Sequence, residues 1–227
     1  MLPAESLLEI FVNRPQRYRL LNKGWRDWMA SSNAILKDPI LEIGCAYGDA
    51  SAYLANAYGL VAFGLDQNPA GIEEAKRRHR ELVLAEKLRF VHGNAEALPF
   101  PPEHFAGVVM EASFSPLTDK ASSVNEVFRV IQHGGRVLIN DFAIREPVAR
   151  RKNCRSNIPC LDGVESMETY RRRFAQSGFA AIHMQEERAE LVYMALWLSK
   201  CLGIPLSDVN KESNQKLTYC QMIFEKE

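Results

Sequence analysis

A chain of 227 residues, 47% apolar and 25% charged, has the composition of one ordinary globular core, which excludes collagen-like, low-complexity and disordered chains. Its 28 Lys and Arg balance 28 Asp and Glu, so the net charge is zero and no nucleic-acid partner held by bulk charge is expected. No apolar run reaches the roughly 20 residues of a membrane span, Glu5 and Glu9 stand where a secretory leader would be basic, and five cysteines at irregular spacing argue against a disulfide framework, which together predict a cytoplasmic protein.

Short apolar runs alternate with longer amphipathic ones. Strand-like runs fall at 40–43, 60–65, 88–91, 107–110, 136–140, 180–184 and 217–224, and the first five are almost wholly apolar, as strands buried on both faces should be. Helical stretches lie between them. One covers 50–58, and one covers 69–86 with Pro69 in its first turn. One covers 121–131, before the break expected at Gly134-Gly135, and one covers 165–176, stopping at Ser177-Gly178. This alternation predicts an α/β fold: a Rossmann-like, doubly wound, seven-stranded and mostly parallel sheet, with an antiparallel edge strand if the last two runs pair. The stretch 187–203 is apolar on more than one helical face. It reads first as a helix packed on two sides, and second as a lid or a homodimer contact.

The first strand runs into Glu42-Ile43-Gly44-Cys45-Ala46-Tyr47-Gly48 and then a helix, which is where a doubly wound sheet seats a nucleotide-like cofactor. A dinucleotide fingerprint fails, because its register would read Gly44, Ala46, Asp49. A carboxylate at Glu42 is also ill placed beside a pyrophosphate and better suits a cofactor with a cationic amine, such as the methionine end of S-adenosylmethionine. Asp66 closes the second strand at the position where an acid bonds ribose hydroxyls. The third strand leads into Asn94-Ala95-Glu96-Ala97-Leu98-Pro99-Phe100, whose polar start is placed to meet an adenine amine.

With these segments in hand, the chain resembles the class I S-adenosylmethionine-dependent methyltransferases of the small-molecule type, among them the ubiquinone/menaquinone and arsenite enzymes. The family's acidic-x-Gly-x-Gly-x-Gly motif reads Glu42 to Gly48, its ribose acid falls on Asp66 followed by Gln67, and its adenine segment reads Asn94 to Phe100. A later motif reads Arg129-Val130-Ile131-Gln132-His133-Gly134-Gly135. The resemblance implies S-adenosylmethionine as cofactor, S-adenosylhomocysteine as product and a small-molecule acceptor. The binding residues would be Glu42, Gly44, Cys45, Ala46, Gly48, Asp66, Gln67, Asn94, Ala95 and Glu111. Two departures stand out. Ala46 replaces the middle glycine and Asn94 the usual aspartate, which keeps open a binding protein without turnover; an NAD-dependent oxidoreductase is the weaker rival.

Methyl transfer asks the protein to align a nucleophile and exclude water, and asks for a base only where the acceptor must lose a proton. No catalytic residue is therefore dictated. Glu111 and Asp141, at the ends of the fourth and fifth strands, are the candidates, while Ser113 and Ser115 read as turn hydrogen bonders. Phe114 and Phe142 are candidate acceptor contacts. Family likeness adds Tyr18 and Trp25, in an N-terminal helical cap over 1–37. The rest divides into a cofactor core over 38–142, an insertion over 143–164 and an acceptor-side part over 165–227, all in one domain. Between 145 and 173 eight Lys and Arg stand against four Asp and Glu. Cys154 and Cys160 lie among these cations, which favour the thiolate, so they read first as incidental and second as a soft-metalloid or thiol site like that of the arsenite enzymes. No metal site is expected otherwise.

Overall fold

The computed structural model describes residues 23–24, 39–145, 163–202 and 217–227. The seven strands are β1 (Ile40–Ile43), β2 (Ala62–Asp66), β3 (Leu88–His92), β4 (Phe105–Glu111), β5 (Ile131–Ile144), β6 (Phe179–Glu186) and β7 (Leu217–Lys226). The helices between them are α1 (Asp49–Tyr58), α2 (Pro69–Arg78), α3 (Arg80–Leu84), α4 (Lys120–Val130), α5 (Met167–Gln176) and α6 (Arg188–Leu202). The strands form one sheet in the order β3-β2-β1-β4-β5-β7-β6. The order reverses beside β1, so the crevice that opens at the carboxyl ends of β1 and β4 is where such a sheet binds a ligand.

The α/β class, the seven strands and the mostly parallel sheet are as the sequence predicts, with one difference of detail. The antiparallel strand is β7, paired antiparallel to both β5 and β6, so it stands one place in from the edge. The edge itself is β6. Two further boundaries differ. The helix expected over 69–86 breaks at His79, whose Nε2 lies 3.0 Å from Asp49 Oδ1 on α1, a distant partner that local sequence does not announce. Gly134-Gly135, read as a break, lies inside β5: the register against β4 slips between Ile131 and Arg136, and Gly134 takes a φ of 69° in that bulge.

The alternation of each strand sorts its side chains to two faces. On one, Leu41, Val108, Val137, Met222 and Phe224 meet α4 and α5, with Phe174 stacked on Phe224 at 4.1 Å between ring centroids. On the other, Ile40, Val109, Leu138 and Ile223 meet α1 and α2 through Leu54 and Ile72. Each of these fully buried side chains contributes on the order of 1.5–3 kcal/mol. Three helices begin at side-chain caps: Asn68 accepts from the Ala70 and Gly71 amides ahead of α2, Asp119 from Ser122 ahead of α4, and Ser166 from Thr169 ahead of α5. No helix among the described residues is long and apolar enough to cross a membrane.

Candidate cofactor site

The turn after β1 is built from three left-handed residues, Gly44 (φ 75°), Ala46 (φ 51°) and Gly48 (φ 74°). The Gly44 and Cys45 amides both donate to Leu65 O on β2, at 2.8 and 3.0 Å, which pins the start of the turn to the neighbouring strand. Glycine is required at its end for a second reason. A Cβ on Gly48 would lie 2.2 Å from the Phe90 ring of β3. Ala46 takes the left-handed conformation in spite of its methyl group, at about 1–2 kcal/mol. We therefore expect Ala46→Gly to raise stability by up to about 1 kcal/mol, less than the full strain because glycine is also freer when unfolded. Urea unfolding reads the stability. S-adenosylhomocysteine affinity should stay equal or improve, and a clear loss by calorimetry would mean the turn is shaped around the methyl group.

Asp66 closes β2 with a half-buried carboxylate that joins two turns. Its Oδ2 accepts from the Ala46 amide at 2.9 Å and its Oδ1 from the Asn68 amide at 2.8 Å. Each oxygen keeps a further lone pair, so the group can still receive two vicinal hydroxyls. Gln67 beside it is exposed, and its carbonyl lies 3.1 Å from His92 Nε2, tying the ends of β2 and β3. Asn94 is exposed and uses Oδ1 to accept from the Glu96 amide at 3.0 Å, an Asx turn that leaves its amide NH2 facing outward as donor. Ala95 is buried under it.

Glu42 is placed otherwise than expected of an open carboxylate. It is 2% exposed beneath the turn, and its Oε2 accepts from the Ser51 amide at 2.8 Å and from the Ser51 hydroxyl. Gly48, the cap residue of α1, has no side chain to satisfy that helix's third amide, and Glu42 reaches up from the strand to do so. Its charge therefore supports the turn from behind. Cys45 is likewise buried, its Sγ close to the Gly64 position, and burial raises its thiol pKa, so only its backbone borders the crevice.

The loop after β4 carries the remaining candidates. Glu111 is half-buried at the strand's end and accepts from the Asn140 side-chain amide. Ala112 then takes φ 53°, which re-aims everything after it. Ser113 Oγ donates to Ile43 O at 2.6 Å. Phe114, a candidate acceptor contact, instead turns into the core at 0% exposure, edge-on to Tyr170. Asp141, a candidate base, is also fully buried. It accepts from the amides of Phe114 (2.8 Å), Ser115 (2.7 Å) and Phe142 (2.7 Å) and from Ser115 Oγ (2.7 Å). It is a brace for this loop, out of reach of any acceptor. Phe142 is 4% exposed and packs edge-on against Tyr219. Tyr18, Trp25, Cys154 and Cys160 lie outside the described residues.

The carboxyl ends of β1 to β4 thus carry Gly44, Ala46, Gly48, Asp66, Asn94 and Glu111, with Glu42 and Asp141 as supports. Sequence reasoning missed Ser51, Asn140 and Gln221, although a polar residue inside an otherwise apolar strand run was the available signal for the last two.

Residues 41–139, which run from β1 into β5 of the sheet just described, match the family model described as a methyltransferase domain. The ubiquinone/menaquinone biosynthesis C-methyltransferase UbiE of Xylella fastidiosa is 29% identical over 147 residues, covering 60% of this chain and 58% of that protein. The chain spans less than two thirds of the length of this and the other curated relatives it matches. Among solved structures, geranyl diphosphate C-methyltransferase from Streptomyces coelicolor, in complex with S-adenosyl-L-homocysteine, superposes with a TM-score of 0.77 at 15% identity, over 93% of this chain and 82% of that one. The cyclase SpnF does so equally, with a TM-score of 0.77 at 17% identity, over 92% and 80%. At these identities the likeness is one of fold, and the presence of a cyclase is a reminder that a fold hosts more than one chemistry.

Proposed function

We propose that the protein is an S-adenosylmethionine-dependent methyltransferase acting on a small-molecule acceptor. The observation that carries this reading is the Asp66 carboxylate bound to the Ala46 amide. It sets a ribose-type acid at the mouth of a left-handed turn, in a domain matched to the methyltransferase model. The donor set fits the cofactor in kind. Backbone at Gly44, Ala46 and Gly48 would border the methionine end, Asp66 would take the ribose hydroxyls and Asn94 the adenine edge, with Gln67, Ala95 and Cys45 as walls. When bound, S-adenosylmethionine supplies an electrophilic methyl group. The chain's own part is to seat the acceptor beside Glu111, orient it and keep water out; Glu111 is the carboxylate placed to receive a proton or hold a positive charge. That UbiE is named for quinone biosynthesis and the Streptomyces enzyme for geranyl diphosphate supports an acceptor of small-molecule size.

The division into core, insertion and acceptor-side part belongs to the same reading. So does a cytoplasmic location, supported by Cys45 and Cys220 both being buried free thiols. The zero net charge supports the absence of a nucleic-acid partner. A homodimer is the finer proposal, supported by the exposed Val192 and Leu196 on α6, and sedimentation tests it.

Calorimetry tests the central claim. S-adenosylhomocysteine should bind, and Asp66→Ala should weaken it by about 1.5–3 kcal/mol, the loss expected of charge-assisted hydrogen bonds. Tighter binding of NAD would overturn the reading. Donor binding with no methyl transfer to any acceptor in a labelled-donor screen would leave a binding protein.

A further inference from the structure

On the sheet face that carries Glu42 and Glu111, three polar residues stand side by side across three strands. Glu111 on β4 pairs in register with Asn140 on β5, and Asn140 with Gln221 on β7. Asn140 and Gln221 are both 0% exposed, and on their face of the sheet each stands two residues from a buried apolar side chain, Leu138 and Ile223. Burying two carboxamides is unfavourable by several kcal/mol unless their hydrogen bonds are met, and here they are met by one another and by charges at both ends. Asn140 Nδ2 donates to Glu111 Oε1, Gln221 Nε2 donates to Asn140 Oδ1 at 3.0 Å, and Lys23 Nζ donates to Gln221 Oε1 at 3.4 Å. Lys23 is also paired with Glu187 at the start of α6, at 3.0 Å.

The direction of this row is not arbitrary. A carboxylate only accepts and an ammonium only donates, so each amide between them has one orientation that satisfies both neighbours. The dipoles then align head to tail, each bond polarising the next. Lys23 and Gly24, both helical, sit directly on the row. A Cβ on Gly24 would lie 2.6 Å from Gln221 Nε2 and 2.7 Å from Leu138 Cδ1, so a side chain there would push the Gln221 amide out of the row.

We propose that Asn140 and Gln221 are positioning residues, a polarised amide relay that sets the Glu111 carboxylate at the crevice and makes the seating of the helical Lys23–Gly24 pair depend on it. The relay rests on the methyltransferase reading only for the identity of what Glu111 faces. Its physical consequence is that a change at Glu111 is felt two strands away, and a change at Lys23 is felt at the site.

The experiment follows the side-chain amide protons of Asn140 and Gln221 by NMR in the intact 15N-labelled chain, together with trypsin cleavage after Lys23. In Glu111→Ala both amide pairs should shift, including that of Gln221, which sits one strand further from the change. Cleavage after Lys23 should become at least about twofold faster. Glu111→Gln, which keeps an acceptor oxygen without its charge, should restore part of both. Lys23→Met, at a partly exposed residue whose loss the fold should tolerate, should shift the Asn140 protons from the opposite end. Gln221 protons and a cleavage rate that stay unchanged in Glu111→Ala overturn the relay, as do Asn140 protons that ignore Lys23→Met. No methyl donor enters these measurements, so their failure is separate from a failure to bind S-adenosylhomocysteine.

Discussion

Asp141→Ala is expected to destabilise the fold by about 3–5 kcal/mol, the range for removing one partner from a buried, hydrogen-bonded charge. The carboxylate gathers three backbone amides and the Ser115 hydroxyl, and alanine would leave these buried donors facing apolar atoms. Urea unfolding with linear extrapolation measures it, and a loss below about 1 kcal/mol would contradict the bracing role. A pH signature accompanies it. Burial pushes the Asp141 carboxyl up from 3.8 to about 6, against the pull of those donors. An acid that keeps its proton longer in the folded state adds stability that is fully present below about pH 4 and is lost as pH rises through about 6. The difference in unfolding free energy between the wild type and Asp141→Asn should therefore decline over that window by on the order of 2–3 kcal/mol. A difference that rises with pH would mean the donors win over burial.

Gly48→Ala should cost about 2–4 kcal/mol, from two sources that add. Alanine is strained at φ 74° by about 1–2 kcal/mol, and its Cβ would stand 2.2 Å from the Phe90 ring and 3.2 Å from Ala75 Cβ. The ring has no easy retreat, because it also fills the space over Gly64, where a Cβ would be 2.8 Å away. Either Phe90 or the turn must move. Since the turn borders the crevice, S-adenosylhomocysteine affinity should fall with stability. The double variant Gly48→Ala, Phe90→Leu should recover part of the affinity by relieving the clash, and no recovery would place the effect in the backbone strain alone.

The parts of the site that could be read from the sequence are those whose chemistry is local. The turn over 44–48 needs left-handed residues at every second position, Asp66 needs only to end its strand, and Pro69 after Asn68 announces a capped helix. What could not be read depends on partners far along the chain. Glu42 looks like a ligand for a cation until Ser51 is seen above it. Phe114 reads as a contact for the acceptor, but Ala112 takes φ 53° ahead of it and the ring lies in the core. Helix 69–86 reads as continuous because nothing local marks His79, whose partner Asp49 lies on α1. Asn140 and Gln221 read as interruptions in apolar runs, and their meaning appears only once three strands stand in register.

The order of the sheet also governs how the chain can assemble as it is made. Among the described residues, strand β6 pairs with β7 alone, while β7 is synthesised later, after α6 and the segment that follows it. Until residues 217–226 emerge, β6 has no neighbour to join, and the free side of β5 stands open as an unpaired edge. Insertion of β7 settles both at once by slotting between them. The sheet is thus joined by a strand made after both of its neighbours, and a nascent chain stalled before that point would expose the β5 edge to pairing with other chains.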